Sequence, residues 1–226
     1  MSIASEQLII LAILLPLIAS VLIIFADKYP NLRETITLVA ATMVAIIVVV
    51  LAFRLQSGDI PKLELLEIVP GITFSFKIEP LGMLFALVAG TLWLVTSIYS
   101  IGYMRGHHEK NQTRFYAMFA IAIGSAMGTA FAGNLFTLFL FYEILTISTY
   151  PLVAHAGTDK ARRGARTYLG ILLGTSIGLQ LLAIMITYSL AGTLDFREGG
   201  IVSEHLSIPV ALSPYHCYHS ISLSDH

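Results

Sequence analysis

Long apolar runs separated by short polar segments set the pattern of this sequence. Each run is long enough for an α-helix to cross a hydrocarbon layer of about 30 Å. A backbone surrounded by lipid must pair its own polar groups, so each run is expected to be helical. The pattern therefore predicts an all-α polytopic membrane protein with about six transmembrane helices. The runs lie near 8–25, 36–53, 81–104, 115–132, 134–155 and 167–191.

The fourth and fifth runs are separated only by Gly133 and, at the boundary, Asn134. A single helix through 115–155 would be about 60 Å long, twice the thickness of a membrane. Two helices that reverse direction within a very short turn are therefore favoured over one long buried helix. Glycine permits such a turn.

The polar segment from residue 54 to residue 80 contains a different pattern. Residues 72–78, ITFSFKI, alternate between apolar and polar, which is the period of a β-strand. A short external hairpin is therefore predicted here. Its acidic residues are interpreted as solvated loop charges, with attraction of cations as the less favoured alternative: Asp59, Glu64, Glu67 and Glu79.

Lysine and arginine are distributed unequally between the segments that follow the runs. Nine follow the first, third and fifth runs, whereas four follow the second and the sixth. Because cytoplasmic loops carry the excess of positive charge, the N-terminus is expected outside. Residues 1–7 carry Glu6 and no lysine or arginine, so the first run is expected to be a retained helix rather than a cleaved signal.

Composition narrows the class of protein further. Of the 226 residues, 56% are hydrophobic and 12% charged, far from the balance of a soluble domain, and the net charge of -1 offers no basic surface for nucleic acid. The single cysteine, Cys217, excludes an internal disulfide or a multi-thiolate metal site. Neither a cysteine cluster for iron–sulfur ligation nor a nucleotide-binding glycine-rich loop occurs, so no cofactor is assigned to the chain.

One carboxylate lies inside an apolar run. Glu143 is about nine residues into the fifth run, within LFTLFLFYEILTISTYPLVAH at 135–155, and none of the six runs contains Asp, Lys or Arg. An ionised carboxylate at mid-membrane costs several kcal/mol, so it must be protonated, paired with a cation or in contact with water. Because a nearby cation favours the ionised form and desolvation the protonated form, movement of a cation can load or release a proton. We interpret Glu143 as a proton relay; a protonated structural residue is the alternative.

Hydroxyl groups follow Glu143 along the same run. Two of them, at the third and seventh positions after the carboxylate, lie on or near its helical face. Pro151 cannot donate a backbone hydrogen bond, so a bend or local hydration is expected just past the carboxylate. The hydroxyl side chains are Thr146, Ser148, Thr149 and Tyr150.

Glycine recurs at four-residue spacing in the fourth and sixth runs. Small residues at this spacing let membrane helices approach each other closely, so packing is the favoured interpretation. The glycines are Gly124, Gly128, Gly170, Gly174 and Gly178.

Two segments of the chain resemble a known family. Residues 99–153, YSIGYMRGHHEKNQTRFYAMFAIAIGSAMGTAFAGNLFTLFLFYEILTISTYPLV, and residues 160–196, KARRGARTYLGILLGTSIGLQLLAIMITYSLAGTLDF, are similar to the antiporter-like membrane subunits of complex I and of Mrp-type cation/proton antiporters. The YS-x-GYM, RF and F-[WY]-E elements occur in the family's order and at its separations. The form FYEILTISTYPLVAH most resembles D-type Mrp subunits and their relatives in membrane-bound hydrogenases. Overall the resemblance covers about residues 75–200.

The resemblance implies a function. In this family the helix-5 glutamate is the entry acid of a proton path, and Glu143 stands at its position. The implied protein is a subunit of a multi-subunit monovalent cation/proton antiporter in the cell (inner) membrane, which carries protons and Na⁺ or K⁺ and whose partners are the lipid bilayer and other membrane subunits. A membrane subunit of a complex I-type NADH:quinone oxidoreductase or of a hydrogenase, and a truncated non-conducting fragment, are the alternatives. Whether the chain belongs to an enzyme stays open.

Other side chains acquire candidate roles through the same resemblance. His155 is a candidate to pass protons inward, although an interfacial histidine satisfied by water is favoured. Arg162, Arg163 and Arg166 are interpreted as topology signals, with a place near a cytoplasmic proton entrance as the alternative. Tyr142 stands where the family often has Trp and Glu79 where it commonly has Asp, and neither departure changes the assignment.

A family subunit has about fourteen helices, and its glutamate is thought to pair with a lysine on a broken seventh helix. The resemblance therefore implies the N-terminal part of such a fold. Two transmembrane helices and an external loop are expected in 1–80, the start of the proton-translocating domain in 81–196 and an aberrant or disordered tail in 197–226. Four of the seven histidines lie in the last 22 residues, which we interpret as out-of-frame sequence. A metal site of His216, Cys217 and His219 is the less favoured alternative.

Overall fold

The computed structural model describes residues 4–58, 60–69, 72–197 and 200–201. The helices in this part of the chain are α1 (Ser5–Phe25), α2 (Pro30–Gln56), α3 (Pro80–Gly106), α4 (Gln112–Ala130), α5 (Leu135–Val153), α6 (Asp159–Thr175) and α7 (Leu181–Ala191). Two strands, β1 (Lys62–Val69) and β2 (Ile72–Lys77), form one antiparallel sheet. Of the tail predicted in 197–226, only residues 197, 200 and 201 are described, so the metal-ligand candidates His216, Cys217 and His219 lie outside the described residues.

Most of the helices are long and apolar enough to cross a membrane. Five described segments meet that condition: α1, α2, α3, α5 and the continuous segment of α6 and α7 from Asp159 to Ala191. The fourth apolar run also forms a helix, α4, but this helix is not among the five. More than half of the 19 residues of α4 are buried. Many of these buried side chains are small or polar, so α4 is less apolar than a helix that faces lipid. The predicted all-α membrane protein with about six helices is confirmed.

Local chemistry explains where several helices begin. Pro30 and Pro80 occupy the first positions of α2 and α3, where the missing N–H would have no helical partner. Asn134 and Thr158 cap α5 and α6 with side-chain oxygens that accept hydrogen bonds from backbone N–H groups. These caps define the first residues of the helices more precisely than the apolar runs in the sequence do.

Helix α4 packs between α1 and α5, and α2 packs between α1 and α3. A Cβ atom at Gly124 would lie 2.9 Å from Leu17 Cδ2, and one at Gly128 would lie 2.3 Å from Phe141 Cδ1. Real Cβ atoms do not approach so closely, so a larger residue at Gly128 would overlap the rigid ring of Phe141, whereas at Gly124 the end of the Leu17 side chain would have to shift. The predicted close packing is confirmed at these two positions.

The packing predicted for the other three glycines is wrong within the described chain. A Cβ atom at Gly170, Gly174 or Gly178 would meet no described atom within 4 Å. The face that they mark is open, and the neighbouring Ile171 and Ile177 are 60% and 53% exposed. Four-residue spacing records a face of small residues, but it does not specify which helix covers that face.

The turn between α4 and α5 is held by the β-hairpin. Four residues, 131–134, join the two helices, which confirms the predicted reversal, and the predicted hairpin is confirmed as well. The Gly133 N–H donates to the Ser75 carbonyl at 2.9 Å, and Asn134 Nδ2 donates to Ser75 Oγ at 2.9 Å. A Cβ atom at Gly133 would lie 2.7 Å from Ser75 Oγ. Glycine is therefore needed here for the close approach of β2.

The count of positive charges assigned Arg33 to the segment that follows the first apolar run, but the structure places it in a helix. It lies near the start of α2 with Glu34, and each residue is only 5% exposed. The reason is that α2 begins at Pro30, well before the apolar run near 36. Arg33 Nη1 donates to Thr113 Oγ1 at 2.9 Å, so this buried charge connects α2 to α4.

Candidate functional site

The candidate site is centred on α5. Glu143 is the ninth of the 19 residues of this helix, so it lies at mid-length of a segment that can cross a membrane. Its side chain is half-buried, and its Oε1 atom is buried without a hydrogen-bond partner in the described chain. An unpaired buried carboxylate oxygen is costly, because it has lost water and gained no donor. Such groups are concentrated at functional positions.

Thr146 and Tyr150 lie on or near the same face of α5 as Glu143. Thr146 is 3% exposed, and Tyr150 is half-buried. The other two hydroxyls do not serve the carboxylate, because they bond within the helix. Ser148 Oγ donates to the Leu145 carbonyl and Thr149 Oγ1 donates to the Thr146 carbonyl, both at 2.8 Å. Of the hydroxyls named from sequence, only those of Thr146 and Tyr150 remain available.

His155 lies two residues beyond Val153, the last residue of α5. Both of its ring nitrogens are buried without a hydrogen-bond partner among the described residues. Its ring meets the ring of Phe115 edge to face, with the centroids 5.4 Å apart. A histidine in this state has a free lone pair and a free N–H, so it can accept and donate a proton if water reaches it.

Pro151 borders a cavity at the same end of α5. The cavity has a volume of about 360 Å³ and also contacts Tyr150 and Ala154. Beside it, the Ala154 N–H donates to the Tyr150 carbonyl at 3.0 Å, so α5 closes normally after the proline. The cavity leaves space beside Pro151, and hydration at this point stays a prediction.

A π-helical turn between α6 and α7 was not foreseen from sequence. It covers Ser176–Gln180, and the Leu181 N–H donates to the Ser176 carbonyl, five residues back. A second cavity of about 330 Å³ lies between this turn and Tyr142, the residue before Glu143. π-turns are rare and recur at functional sites. Gln180, the one long polar side chain of this turn, was the only sequence signal.

Two family models match parts of the chain. Residues 70–116 match the model described as NADH-Ubiquinone oxidoreductase (complex I), chain 5 N-terminus. Residues 132–208 match the model described as NADH:quinone oxidoreductase/Mrp antiporter, TM, a range that includes all of α5. The two matched ranges are in the order that the sequence resemblance implied.

Individual relatives cover most of this chain but a minor part of their own length. The D-type subunit of the Na(+)/H(+) antiporter of Alkalihalophilus pseudofirmus is 27% identical over 193 residues, which is 85% of this chain and 38% of the relative. The N-type subunit of the NADH-quinone oxidoreductase of Desulforudis audaxviator is 28% identical over 193 residues, 84% of this chain and 38% of the relative. The chain thus spans less than two fifths of these relatives.

A solved structure shows the same fold. The Mrp complex from Dietzia sp. contains a chain that superposes with a TM-score of 0.71, at 17% identity, over 84% of this chain and 35% of that chain. At this identity the likeness concerns the fold alone. It identifies the described helices as the N-terminal part of a larger helical fold.

Proposed function

The chain belongs to the family of antiporter-like membrane subunits shared by complex I and the Mrp-type antiporters, and we propose that it acts in a multi-subunit monovalent cation/proton antiporter of the cell (inner) membrane. The observation that carries the proposal is the buried, unpaired Oε1 atom of Glu143 at mid-length of α5. The ions would be protons exchanged for Na⁺ or K⁺. The partners would be the other membrane subunits and the surrounding lipid.

Glu143 would act by changing between its neutral and ionised forms. In general, desolvation favours the neutral form of a carboxyl group, and a nearby cation favours the ionised form. A cation brought near Oε1 would favour the ionised form and release the proton. A lysine in a part of the protein beyond the given sequence, or on a neighbouring subunit, would supply that cation. Antiport follows if arrival of the second ion moves the lysine.

The path along α5 would use the polar side chains that follow the carboxylate. Thr146 is one turn away, Tyr150 two turns away and His155 at the helix end. Glu143 and Tyr150 are about 10 Å apart along the helix axis, at 1.5 Å per residue, so water must bridge them. The cavity beside Tyr150 offers room for such water. In this account Thr146 and Tyr150 orient water, and His155 exchanges protons with the bulk.

A membrane subunit of a complex I-type oxidoreductase is the second candidate. It is favoured by the similarity to the N-type oxidoreductase subunit and by both family descriptions. Glu143 would have the same task in that setting, but redox chemistry elsewhere in the complex would drive it. Proton movement that depends on a cation gradient would favour the antiporter, whereas proton movement that depends on quinone reduction would favour the oxidoreductase.

The test is Glu143→Gln, introduced into the gene so that the native complex is made at its natural stoichiometry. Gln keeps the size of the side chain but cannot exchange a proton. We expect cation-dependent collapse of a proton gradient in everted membrane vesicles to be lost, while the complex still co-purifies intact. Glu6→Gln is the matched control, because Glu6 is exposed in the first turn of α1 and should be silent. Wild-type transport by the Glu143→Gln complex would contradict the proposal.

A further inference from the structure

A cavity of about 360 Å³ lies where the start of α4, the end of α5 and the start of α6 meet. Its volume falls in the range of roughly 300–1,000 Å³ that small-ligand sites occupy. Four polar side chains line it, and the apolar part of the wall includes Pro151 and Ala154. The polar side chains are Asn111, Arg114, Tyr150 and Arg162.

None of these four polar side chains has a hydrogen-bond or ion-pair partner within the described chain. Two arginines at the same end of the bundle have acceptors in the described chain, whereas four exposed ones have none there: Arg114, Arg162, Arg163 and Arg166. Arg33 donates to Thr113 and Gln112, and Arg105 donates to Glu34. What distinguishes Arg114 and Arg162 from the other exposed arginines is that both line one cavity. Each guanidinium group carries five N–H donors in a planar fork, so many donors are brought together at this place. The pattern favours a ligand that supplies the acceptors.

The charge of the cavity selects an anion. Its described lining includes two arginines and no carboxylate. The starts of α4 and α6 add partial positive charge, whereas the end of α5 adds about half a negative elementary charge. Two full positive charges outweigh that contribution. Arginine forks pair with the oxygens of phosphate through two parallel hydrogen bonds, which favours phosphate over a spherical anion.

We propose that this cavity binds a phosphate group, supplied either by the headgroup of an anionic phospholipid or by free inorganic phosphate. Both arginines would hold the phosphate oxygens, and Tyr150 and Asn111 would donate the remaining hydrogen bonds. The position at the ends of membrane helices places the site at the level of lipid headgroups, where basic pockets between helices hold anionic lipids. The apolar wall of Pro151 and Ala154 would face the glycerol and the upper acyl chain.

The test is lipid binding by the full chain, purified from its membrane in detergent and studied by native mass spectrometry. The probes are dioleoyl phosphatidylglycerol, dioleoyl phosphatidylcholine and inorganic phosphate. We expect one phosphatidylglycerol per chain to bind selectively over phosphatidylcholine. The pair R114Q/R162Q should weaken this binding by at least about tenfold, because each hydrogen bond between charged groups contributes more than one tenfold step.

The matched control is R163Q/R166Q. It removes the same charge from α6 at exposed positions that do not line the cavity. Binding within twofold of wild type supports the proposal, whereas an equal loss in both pairs would mean general electrostatic attraction and would overturn it. Unchanged binding in R114Q/R162Q would also overturn it. Each single variant is measured too, so that a folding failure of the double variant leaves the question decidable.

Competition distinguishes the two sources of phosphate. If millimolar inorganic phosphate leaves phosphatidylglycerol bound, a lipid headgroup is the occupant. If it displaces the lipid and binds with the same dependence on Arg114 and Arg162, free phosphate is the occupant. Both results support a phosphate site. If neither probe binds wild type, the phosphate site is overturned, while proton exchange at Glu143 stays open, because Glu143 does not line this cavity and water can still fill it.

Discussion

Arg105, at the end of α3, donates from Nε to Oε1 of Glu34, near the start of α2, at 3.0 Å. Its Nη2 atom donates to the other oxygen of the same carboxylate, which makes the pair bidentate. Arg33, next in the chain to Glu34, lies over the ring of Tyr116 with its Cζ 5.3 Å from the centroid. The ends of α2, α3 and α4 are thereby joined by charge and hydrogen bonding rather than by apolar contact alone.

The first prediction concerns this ion pair. Glu34→Gln should lower the stability of the chain by roughly 1.5–3 kcal/mol, because it removes a charged acceptor that is almost wholly buried. Thermal unfolding of the purified chain in detergent measures the effect. Glu64→Gln is the control, since Glu64 pairs with Lys62 at 2.6 Å on the exposed hairpin and such pairs contribute about 0–1 kcal/mol. Equal shifts in the two variants would contradict a stabilising role for the pair of Glu34 with the half-exposed Arg105.

The second prediction concerns the contact of α4 with α5. Gly128→Ala should destabilise the chain by about 1–3 kcal/mol, because its Cβ would overlap the ring of Phe141. A second change, Phe141→Leu, should recover part of that loss in the double variant. Gly174→Ala is the control and should cause no loss in the isolated chain, since its position is open. The measurement is the same thermal midpoint, and a Gly174→Ala loss as large as that of Gly128→Ala would refute the packing account.

The third prediction concerns the hairpin and the turn that it holds. Asn134 is 1% exposed; it caps α5 through Thr137 and donates to Ser75. Asn134→Ala should lower stability by about 1–2 kcal/mol for the cap alone. It should also speed hydrogen–deuterium exchange across residues 72–77, because the tie to β2 is lost. Thr158→Ala, which removes the cap of α6 at an exposed position, should leave exchange of the hairpin unchanged. Unchanged hydrogen–deuterium exchange across residues 72–77 in Asn134→Ala would contradict this prediction, because the backbone hydrogen bonds alone would then hold the hairpin against the turn.

The helical part of the fold was predictable because lipid imposes one rule on every apolar run. The position of Glu143 at mid-length of a membrane-spanning helix was predictable for the same reason, whereas its role as a proton relay stays a prediction. Gly133 was correctly predicted to lie in a turn, but the reason why glycine is needed at this position is its close contact with β2. Its backbone is required to approach Ser75, and this contact joins residues far apart in the sequence. No local pattern contains such information.

Long-range pairing explains the remaining differences. Arg33 was counted as a loop charge because the apolar run begins after it, whereas its partners on α4 allow it to be buried. Gly124 and Gly174 have the same spacing pattern, yet only Gly124 meets a neighbour. The π-turn at Ser176–Gln180 follows from backbone bonding that side-chain periodicity does not record. The predicted orientation with the N-terminus outside stays a prediction.

Glu143 is proposed to take up and release a proton as the cation exchanges. Infrared difference spectroscopy of the intact complex in liposomes tests this role by recording the carboxylic acid C=O stretch before and after the transported cation is added. We predict a band that disappears on cation addition, shifts in heavy water, is absent from Glu143→Gln and is retained in Glu6→Gln. A band of full intensity in Glu143→Gln would assign the proton to another carboxyl group. It would contradict the account of this site.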